Sequence, residues 1–252
     1  MKQALRSSLS SILYQGTRLF GLTETGTRIL SYHRVNNESG DYLSVPVEPF
    51  RAEMQFLAEA GYQTVGLGEL LQGAVGPRNV LITFDDGFRD NYENAFPILK
   101  EFSFTATIFC IGNRVDHPGY LHKADILEMH REGMEFGSHT LSHPRLSTLG
   151  MGRKWWEILG SKRFLEELLR FKIDTFCYPF GDYDEESERM VRRAGYRAAC
   201  SNQPGSNQGK TNPYLLKRTE ISGFDTLEDF KKKMAGAFDL LHQGLHWARG
   251  RA

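Results

Sequence analysis

A chain of 252 residues with 31 Lys and Arg, 31 Asp and Glu and a formal net charge of zero is long enough for one large α/β domain. The balanced charge argues against general nucleic-acid binding, which needs a basic face to displace counterions. Three cysteines without a CxxC pair do not suggest a disulfide framework and favour a reducing compartment. No stretch approaches the roughly 18 apolar residues of a membrane-spanning helix.

Residues 1–27 are predicted to form an amphipathic helical extension ahead of the main domain. The candidates for its apolar face are Leu5, Leu9, Ile12, Leu13 and Phe20. Serines and charged residues interrupt the stretch, and no small-x-small cleavage site follows, so a secretory signal peptide is not indicated. Packing on the domain and weak peripheral contact with an anionic membrane both fit this pattern.

From residue 28 onward, stretches typical of strands alternate with stretches typical of helices. The predicted strands cover residues 28–33, 63–67, 79–84, 105–111, 134–138, 174–178, 196–200 and 215–221. The predicted helices cover residues 48–60, 92–102, 123–131, 147–171, 184–194 and 225–247. Pro97 is expected to break or delay the second of these helices.

This alternation predicts a single domain over residues 28–252 that is built around a mostly parallel sheet. About seven or eight strand–helix units in a chain of this length suggest a closed or nearly closed barrel. A flat doubly wound sheet is the alternative, although no GxGxxG or phosphate-loop signature supports a nucleotide site.

In either architecture, functional residues collect where the parallel strands end. The polar or unusual residues at the predicted strand ends are His33, the pair Asp85 and Asp86, His139 with His143, and the segment 179–181. Because these ends meet on one side of the sheet, we expect the residues to form one site.

His139 and His143 are four residues apart in a loop-like segment, and Pro144 follows at once. Together with one carboxylate they would give three protein ligands and leave a position open for water or substrate, as in catalytic zinc sites. Iron enzymes use the same ligand types, so the residues do not identify the metal. Turn capping or a hydrogen bond to the backbone is the alternative role for each histidine.

The adjacent carboxylates of Asp85 and Asp86 allow a division of roles at the end of one strand. One can bind the metal while the other accepts a proton from the attacking water as general base. Gly87 has no Cβ and lets the backbone turn tightly beneath the site. A plain surface turn is the alternative, but it would not explain two charges at the end of a buried strand, where unpaired charges are costly.

The sequences TFDDG (83–87) and SHTLSHP (138–144) resemble the paired motifs of the polysaccharide deacetylase family, the fourth carbohydrate esterase family. The resemblance extends from about residue 28 to 235. It implies a distorted (β/α) barrel of about seven strands and metal-dependent hydrolysis of N-acetyl, or in some members O-acetyl, groups of a sugar polymer. The expected metal is zinc, with Co, Ni, Mn or Fe as alternatives.

The resemblance also implies a role for each motif residue. Asp85 corresponds to the general base, and Asp86, His139 and His143 correspond to the metal ligands. In the CYPFG motif, the backbone N–H of Phe180 corresponds to the donor that stabilises the oxyanion.

Two departures from the family pattern affect these roles. Cys177 stands where many members have an arginine that pairs with the base, and Arg218 is the candidate replacement. The late leucine–histidine motif that supplies the general acid has only His242 and His246 as candidates, both on a predicted helix. His33 is the better candidate acid, because it ends a strand and its YHRV segment resembles the YHxV motif of biofilm poly-N-acetylglucosamine deacetylases.

The residues near the motifs that we expect to contact substrate are Tyr32, Arg34, Tyr178 and Arg218. The predicted activity is a hydrolase that releases acetate from an N-acetylated glycan or from a nucleotide- or lipid-linked amino-sugar precursor. The alternatives are an O-acetyl esterase, another C–N amidohydrolase and a non-catalytic glycan-binding module. A cytoplasmic location is predicted, at the inner membrane face if the N-terminal helix binds lipid.

Overall fold

The computed structural model describes residues 26–38, 40–73, 76 and 78–239. Nearly all of the predicted N-terminal helix, together with His242 and His246, lies outside these ranges. Within them, no helix is both long enough and apolar enough to cross a membrane.

The sheet is parallel and forms the centre of the domain. Its strands, and those of a small second sheet, are β1 (Arg28–Tyr32), β2 (Arg34–Val35), β3 (Ser44–Val45), β4 (Gln63–Thr64), β5 (Asn79–Phe84), β6 (Thr107–Cys110), β7 (Glu135–Ser138), β8 (Thr175–Cys177), β9 (Ala198–Cys200) and β10 (Thr219–Glu220). The strand order is β10-β1-β5-β6-β7-β8-β9, with β4 paired to the start of β5 and β2 paired to β3. The sheet curls through 238° into a half-barrel, which confirms the predicted distorted (β/α) barrel.

Helices follow most of the strands. The α-helices are α1 (Val47–Glu59), α2 (Leu67–Leu71), α3 (Phe96–Glu101), α4 (Lys123–Arg131), α5 (Met151–Leu169), α6 (Glu185–Arg193) and α7 (Leu227–Met234). The helix predicted over 92–102 begins as a π-helix, Asn91–Ala95, and continues as α3 with Pro97 in its first turn. Proline is tolerated there because the first N–H groups of an α-helix have no partner within the helix.

Several predicted boundaries were wrong. The helix predicted over 225–247 is interrupted after Met234, where a turn contains Gly236 at φ 79°. The strand predicted over 215–221 is reduced to β10. The sequence pattern missed β2, β3 and α2, because elements of two to five residues are too short to show a period.

Apolar side chains pack on both faces of the sheet. Leu30 and Ile82 belong to a large cluster with Phe50 of α1, between the sheet and the helices. Their neighbours Ile29 and Leu81 belong to a smaller cluster inside the curled sheet. Burial on both faces explains why the strands have near-continuous apolar sequences without a simple alternation.

Hydrogen bonds between neighbouring strand ends hold the motif residues at one edge of the sheet. The Asp85 N–H donates to the Tyr32 carbonyl over 2.9 Å, and the His139 N–H donates to the Cys110 carbonyl over 2.9 Å. The parallel ladder thus continues into the first residue of each motif. The motifs after β5 and β7 therefore start from rigid positions at the same end of the half-barrel.

Candidate active site

Asp86, His139 and His143 converge at the carboxyl ends of β5 and β7. Asp86 Oδ1 lies 3.6 Å from His139 Nε2 and 3.4 Å from His143 Nε2. The two Nε2 atoms lie 3.2 Å apart. One ligand atom from each residue thus falls within a sphere small enough for a shared ion, since metal–ligand distances at such sites are about 2 Å.

The state of Asp86 supports the fit of a cation. Its Oδ1 is buried and has no hydrogen-bond partner among the described residues. Burial, together with the nearby Asp85 carboxylate, raises the pKa of Asp86 to about 6. A buried oxygen without a donor is costly, and a divalent ion at this position would compensate it. The donor set and its geometry therefore fit a divalent metal.

His139 is oriented by its second ring nitrogen. Nδ1 lies 2.7 Å from the backbone carbonyl of Cys177. Because a carbonyl only accepts, Nδ1 carries the hydrogen and the lone pair of Nε2 faces Asp86. Burial lowers the pKa of His139 to about 3, so the ring is neutral at pH 7, which is the form that binds metals.

Left-handed backbone conformations shape both motif turns. Asp86 and Gly87 both have φ 71°, and a Cβ at position 87 would lie only 3.1 Å from Cys110 Sγ. Thr140 and His143 have φ 64° and 62°. Such conformations are unusual for residues other than glycine, and are unfavourable for β-branched threonine in particular. Surrounding contacts must therefore stabilise the turns that bring the three ligand side chains together.

Asp85 is held by Arg218, the residue that the sequence suggested as a replacement for the missing arginine. Arg218 Nη1 donates to Asp85 Oδ1 and Nη2 donates to Oδ2, both over 2.7 Å. The Cys177 thiol also lies 3.6 Å from Oδ2. Burial acts to raise the pKa of Asp85, but the charge of Arg218 and its hydrogen bonds hold it well below its usual range. Asp85 is therefore ionised at neutral pH.

His33 lies at the end of β1, on the same side of the sheet as Asp85. Its Nε2 is 4.0 Å from Asp85 Oδ2, and 17% of its side chain is exposed. The side chain of Asn91 donates from Nδ2 to the His33 carbonyl over 2.8 Å. The next residues of the chain are held by Asp90, which accepts hydrogen bonds from Arg34 Nε and from the backbone N–H of Val35.

Phe180 lies in a short 3₁₀ turn, Pro179–Gly181, directly after β8 and its following tyrosine. Its φ is 60° and its side chain is 52% exposed. The ring lies 4.5 Å from the His143 ring, and the Arg145 guanidinium lies 4.5 Å from the Phe180 centroid. The turn therefore borders the metal-ligand cluster, and the role of its N–H as oxyanion donor stays a prediction.

The structure contradicts three of the predicted substrate contacts. Tyr32 and Tyr178 are both 0% exposed, and Arg218 is only 2% exposed. The Tyr32 hydroxyl donates to Glu53 over 2.8 Å inside the core. Successive side chains of a strand point to opposite faces, so Tyr32 enters the helix layer while His33 faces the strand ends. Aromatic character beside a motif was therefore a poor guide to exposure.

Arg34 is the predicted substrate contact that keeps an accessible side chain. It is 26% exposed, forms ion pairs with Asp90 and Glu38, and lies over the ring of Phe88. These partners neutralise its charge and fix its position. A substrate contact through Arg34 stays a prediction.

Comparison with known proteins agrees with the resemblance that the motifs indicate. Residues 72–199 match the family model described as Polysaccharide deacetylase. The protein YxkH of Bacillus subtilis, named for the same family, is 35% identical over 199 residues, which cover 77% of this chain and 71% of YxkH. The chain belongs to the polysaccharide deacetylase family. The resemblance predicted from TFDDG and SHTLSHP is therefore confirmed.

The chain is also similar to other deacetylases. A poly-β-1,6-N-acetyl-D-glucosamine N-deacetylase of Staphylococcus aureus is 26% identical over 246 residues, with 84% of each chain covered. The Streptococcus pyogenes deacetylase PplD, solved in complex with acetate, superposes with a TM-score of 0.78 at 25% identity, over 83% of this chain and 98% of PplD. A polysaccharide deacetylase from Bacillus cereus gives a TM-score of 0.75 at 26% identity, over 83% of this chain and 69% of that one.

In this member of the polysaccharide deacetylase family, several residues outside the family motifs hold the candidate site residues in place. Sequence reasoning missed Asp90 and Asn91, which hold the segment around His33, and Glu157, which binds the loop between the two ligand histidines. In the sequence, each of them is simply a polar residue on a helix or at its start. Such a residue normally caps the helix or lies on its solvated face.

Proposed function

We propose that this chain is a metal-dependent hydrolase that removes N-acetyl groups from a glycan, or from a nucleotide- or lipid-linked amino-sugar precursor, and releases acetate. The observation that carries the proposal is the cluster of Asp86, His139 and His143 with an ionised Asp85 beside it. A divalent metal bound there, which we expect to be zinc, supplies Lewis-acid polarisation of the acetamide carbonyl and lowers the pKa of water.

Asp85 has the properties of a general base in this scheme. Its carboxylate is ionised and oriented by Arg218, which donates one hydrogen bond to each carboxylate oxygen. Asp85 Oδ2 lies 4.0 Å from His33 Nε2, and a carboxylate oxygen of Asp85 lies within 4.8 Å of a ring nitrogen of His139. Asp85 accepts a proton from the attacking water as the water oxygen adds to the acetyl carbon.

His33 and Phe180 complete the proposed chemistry. The Phe180 N–H stabilises the negative charge that develops on the carbonyl oxygen. His33 donates a proton to the departing nitrogen as the C–N bond breaks, which gives a free amine and acetate. Partial exposure of His33 at the strand ends is consistent with direct contact between its ring and the substrate.

Metal removal is expected to abolish acetate release. After treatment with a chelator, the protein should no longer release acetate from N-acetylated oligosaccharides, because no residue of the site replaces the Lewis acid. Adding back zinc, or in parallel Co, Ni, Mn or Fe, should restore the rate. Acetate release and bound metal are measured on the same samples, with substrates that include lipid-linked and nucleotide-linked amino sugars.

Variants and substrate choice separate the alternatives. His139→Ala should lose both metal and activity, whereas His130→Ala, which changes a histidine stacked on Phe171, should retain both. Full activity in metal-free protein would contradict the metal dependence. Hydrolysis of O-acetyl esters without any hydrolysis of N-acetyl amides would indicate an esterase, and binding of glycan without release of acetate would indicate a non-catalytic module.

His33→Ala is expected to lower turnover by roughly 10²–10⁴-fold with the metal retained. The loss should be smaller for substrates whose leaving group needs no proton, such as acetylated phenols. Because Asn91 binds the backbone carbonyl of residue 33, the segment should stay in place when the side chain is removed. Unchanged turnover on an amide substrate would indicate that His242 or water, and not His33, acts as the general acid.

A further inference from the structure

A single buried carboxylate organises the loop that carries the two ligand histidines. Glu157, on α5, accepts from the backbone N–H groups of Leu141 and Ser142 at Oε2, over 3.0 Å and 2.9 Å. The Ser142 hydroxyl donates to its Oε1 over 2.8 Å. The Glu157 side chain is 0% exposed, so its carboxylate is shielded from water.

Leu141 and Ser142 occupy the middle of the loop. Leu141 and Ser142 lie between His139 and His143, so Glu157 binds the segment that joins the two ligands. Thr140 adds a second connection: its hydroxyl donates to the His139 carbonyl over 2.5 Å and accepts from the His143 N–H over 2.9 Å. The turn brings the two Nε2 atoms to within 3.2 Å of each other.

The loop needs this external support because of its backbone. Thr140 and His143 both have left-handed φ angles, which are unfavourable for side chains other than glycine. The turn also directs the Leu141 and Ser142 N–H groups towards the protein interior, where unpaired donors would be costly. Bonds to a charged acceptor are about twice as strong as neutral ones, so a carboxylate suits this task.

The remaining contact of Glu157 does not involve the loop. Arg153 lies one helical turn earlier on α5, is 60% exposed, and donates from Nη2 to Glu157 Oε1 over 2.8 Å. Arg153 can therefore be removed without disturbing the bonds from Leu141 and Ser142. This gives a control that changes the charge next to Glu157 but leaves the support of the loop intact.

We propose that Glu157 is a positioning residue for the metal centre: it holds the 139–143 loop in the conformation that presents both imidazoles to one ion. The inference rests on the proposed metal site. It assigns to Glu157 an effect on metal affinity, whereas a purely structural link between helix and loop would affect only stability.

The test is a titration of metal-free protein with zinc alone, in competition with a chromophoric chelator. Glu157→Ala should lower zinc affinity by roughly 10–100-fold, the size of effect that supporting residues of metal ligands have elsewhere. Glu157→Gln should restore most of it, because one amide oxygen can accept from both backbone N–H groups as Oε2 does. Arg153→Ala should bind zinc as the unmodified chain does.

Thermal unfolding of each metal-free variant is measured in parallel. Equal zinc affinity in folded Glu157→Ala and in the unmodified chain would overturn the inference while leaving the proposed function in place. If Glu157→Ala does not fold, Glu157→Asp is titrated with zinc in its place. This variant keeps the charge but shortens the side chain by one methylene, so it should also weaken zinc binding. A failure of the unmodified chain to bind zinc, Co, Ni, Mn or Fe would remove the proposed function and this inference with it.

Discussion

Asp85→Asn should lower the rate of acetate release by roughly 10²–10⁴-fold while the protein keeps its metal. The amide has nearly the shape of the carboxylate but cannot take a proton from water. Metal should remain bound because the ligand cluster is formed by Asp86, His139 and His143. The variant thus tests the role of Asp85 as general base separately from metal binding by Asp86, although the two residues are adjacent in sequence.

The measurement combines initial rates on an N-acetylated substrate with metal content. Assays are run well below the unfolding temperature, because Arg218 loses its counter-charge in this variant. Asp174→Asn is the matched control: it makes the same chemical change just before β8, at the opposite end of the half-barrel, on a side chain that is 38% exposed. Full activity in Asp85→Asn would exclude the proposed mechanism.

Arg218→Met should lower the free energy of unfolding by about 3–5 kcal/mol, as expected when one partner of a buried ion pair is removed. Asp85 would remain buried without its bidentate partner, since the Arg218 and Asp85 side chains are 1% and 3% exposed. The pKa of Asp85 should then rise, so the variant should lose activity as well as stability. Chemical denaturation and acetate release measure the two effects.

The pH dependence of this loss has a defined sign. Because Arg218 holds the pKa of Asp85 below its ordinary value of 3.8, the pair stabilises the fold above that pH and loses its contribution as the pH falls further. The difference in unfolding free energy between the unmodified chain and Arg218→Met should therefore be largest near pH 7 and shrink below about pH 4. Equal stability at pH 7 would contradict the importance of the pair.

Arg28→Met is the matched control for a loss of stability that leaves the candidate active site unchanged. Arg28 forms a second buried arginine–aspartate pair, with Asp239 over 2.7 Å, at the start of β1 and away from the ligand cluster. Its substitution should cost stability of a similar size but leave turnover unchanged at temperatures where the variant is folded. Loss of activity in both variants would mean that instability, and not the state of Asp85, explains the effect of Arg218→Met.

The elements that were predicted well have strong local signals. Helix α4 has the predicted bounds, since Gly133 ends it and Asp125 caps its start. Strand β5 also has the predicted bounds, because a continuous apolar run ends at two aspartates. In a parallel sheet, the end of each strand is also the place where functional residues meet, so these local signals were enough to bring Asp85, Asp86 and the two histidines into one candidate site.

Other features depended on contacts between distant parts of the chain. Arg218 lies 133 residues from Asp85 in sequence, and no motif connects the two residues. Glu157 has a position on α5 that a sequence pattern would assign to a solvated face, yet it is buried against the loop between the ligand histidines. Tyr32 and His33 differ by one position, and only the packing of β1 between two layers decides which of them reaches the strand ends.

The sequence by itself determined the order of the longer strands and helices along the chain, the family, and the residue types that could bind a metal and move a proton, because short-range periodicity and adjacent motif residues encode them. Only the tertiary structure decided which charges support those residues. Burial makes an unpaired charge costly, and its partner can come from any part of the chain that folding brings within about 3 Å. In this protein those partners are Arg218 for Asp85 and Glu157 for the histidine loop.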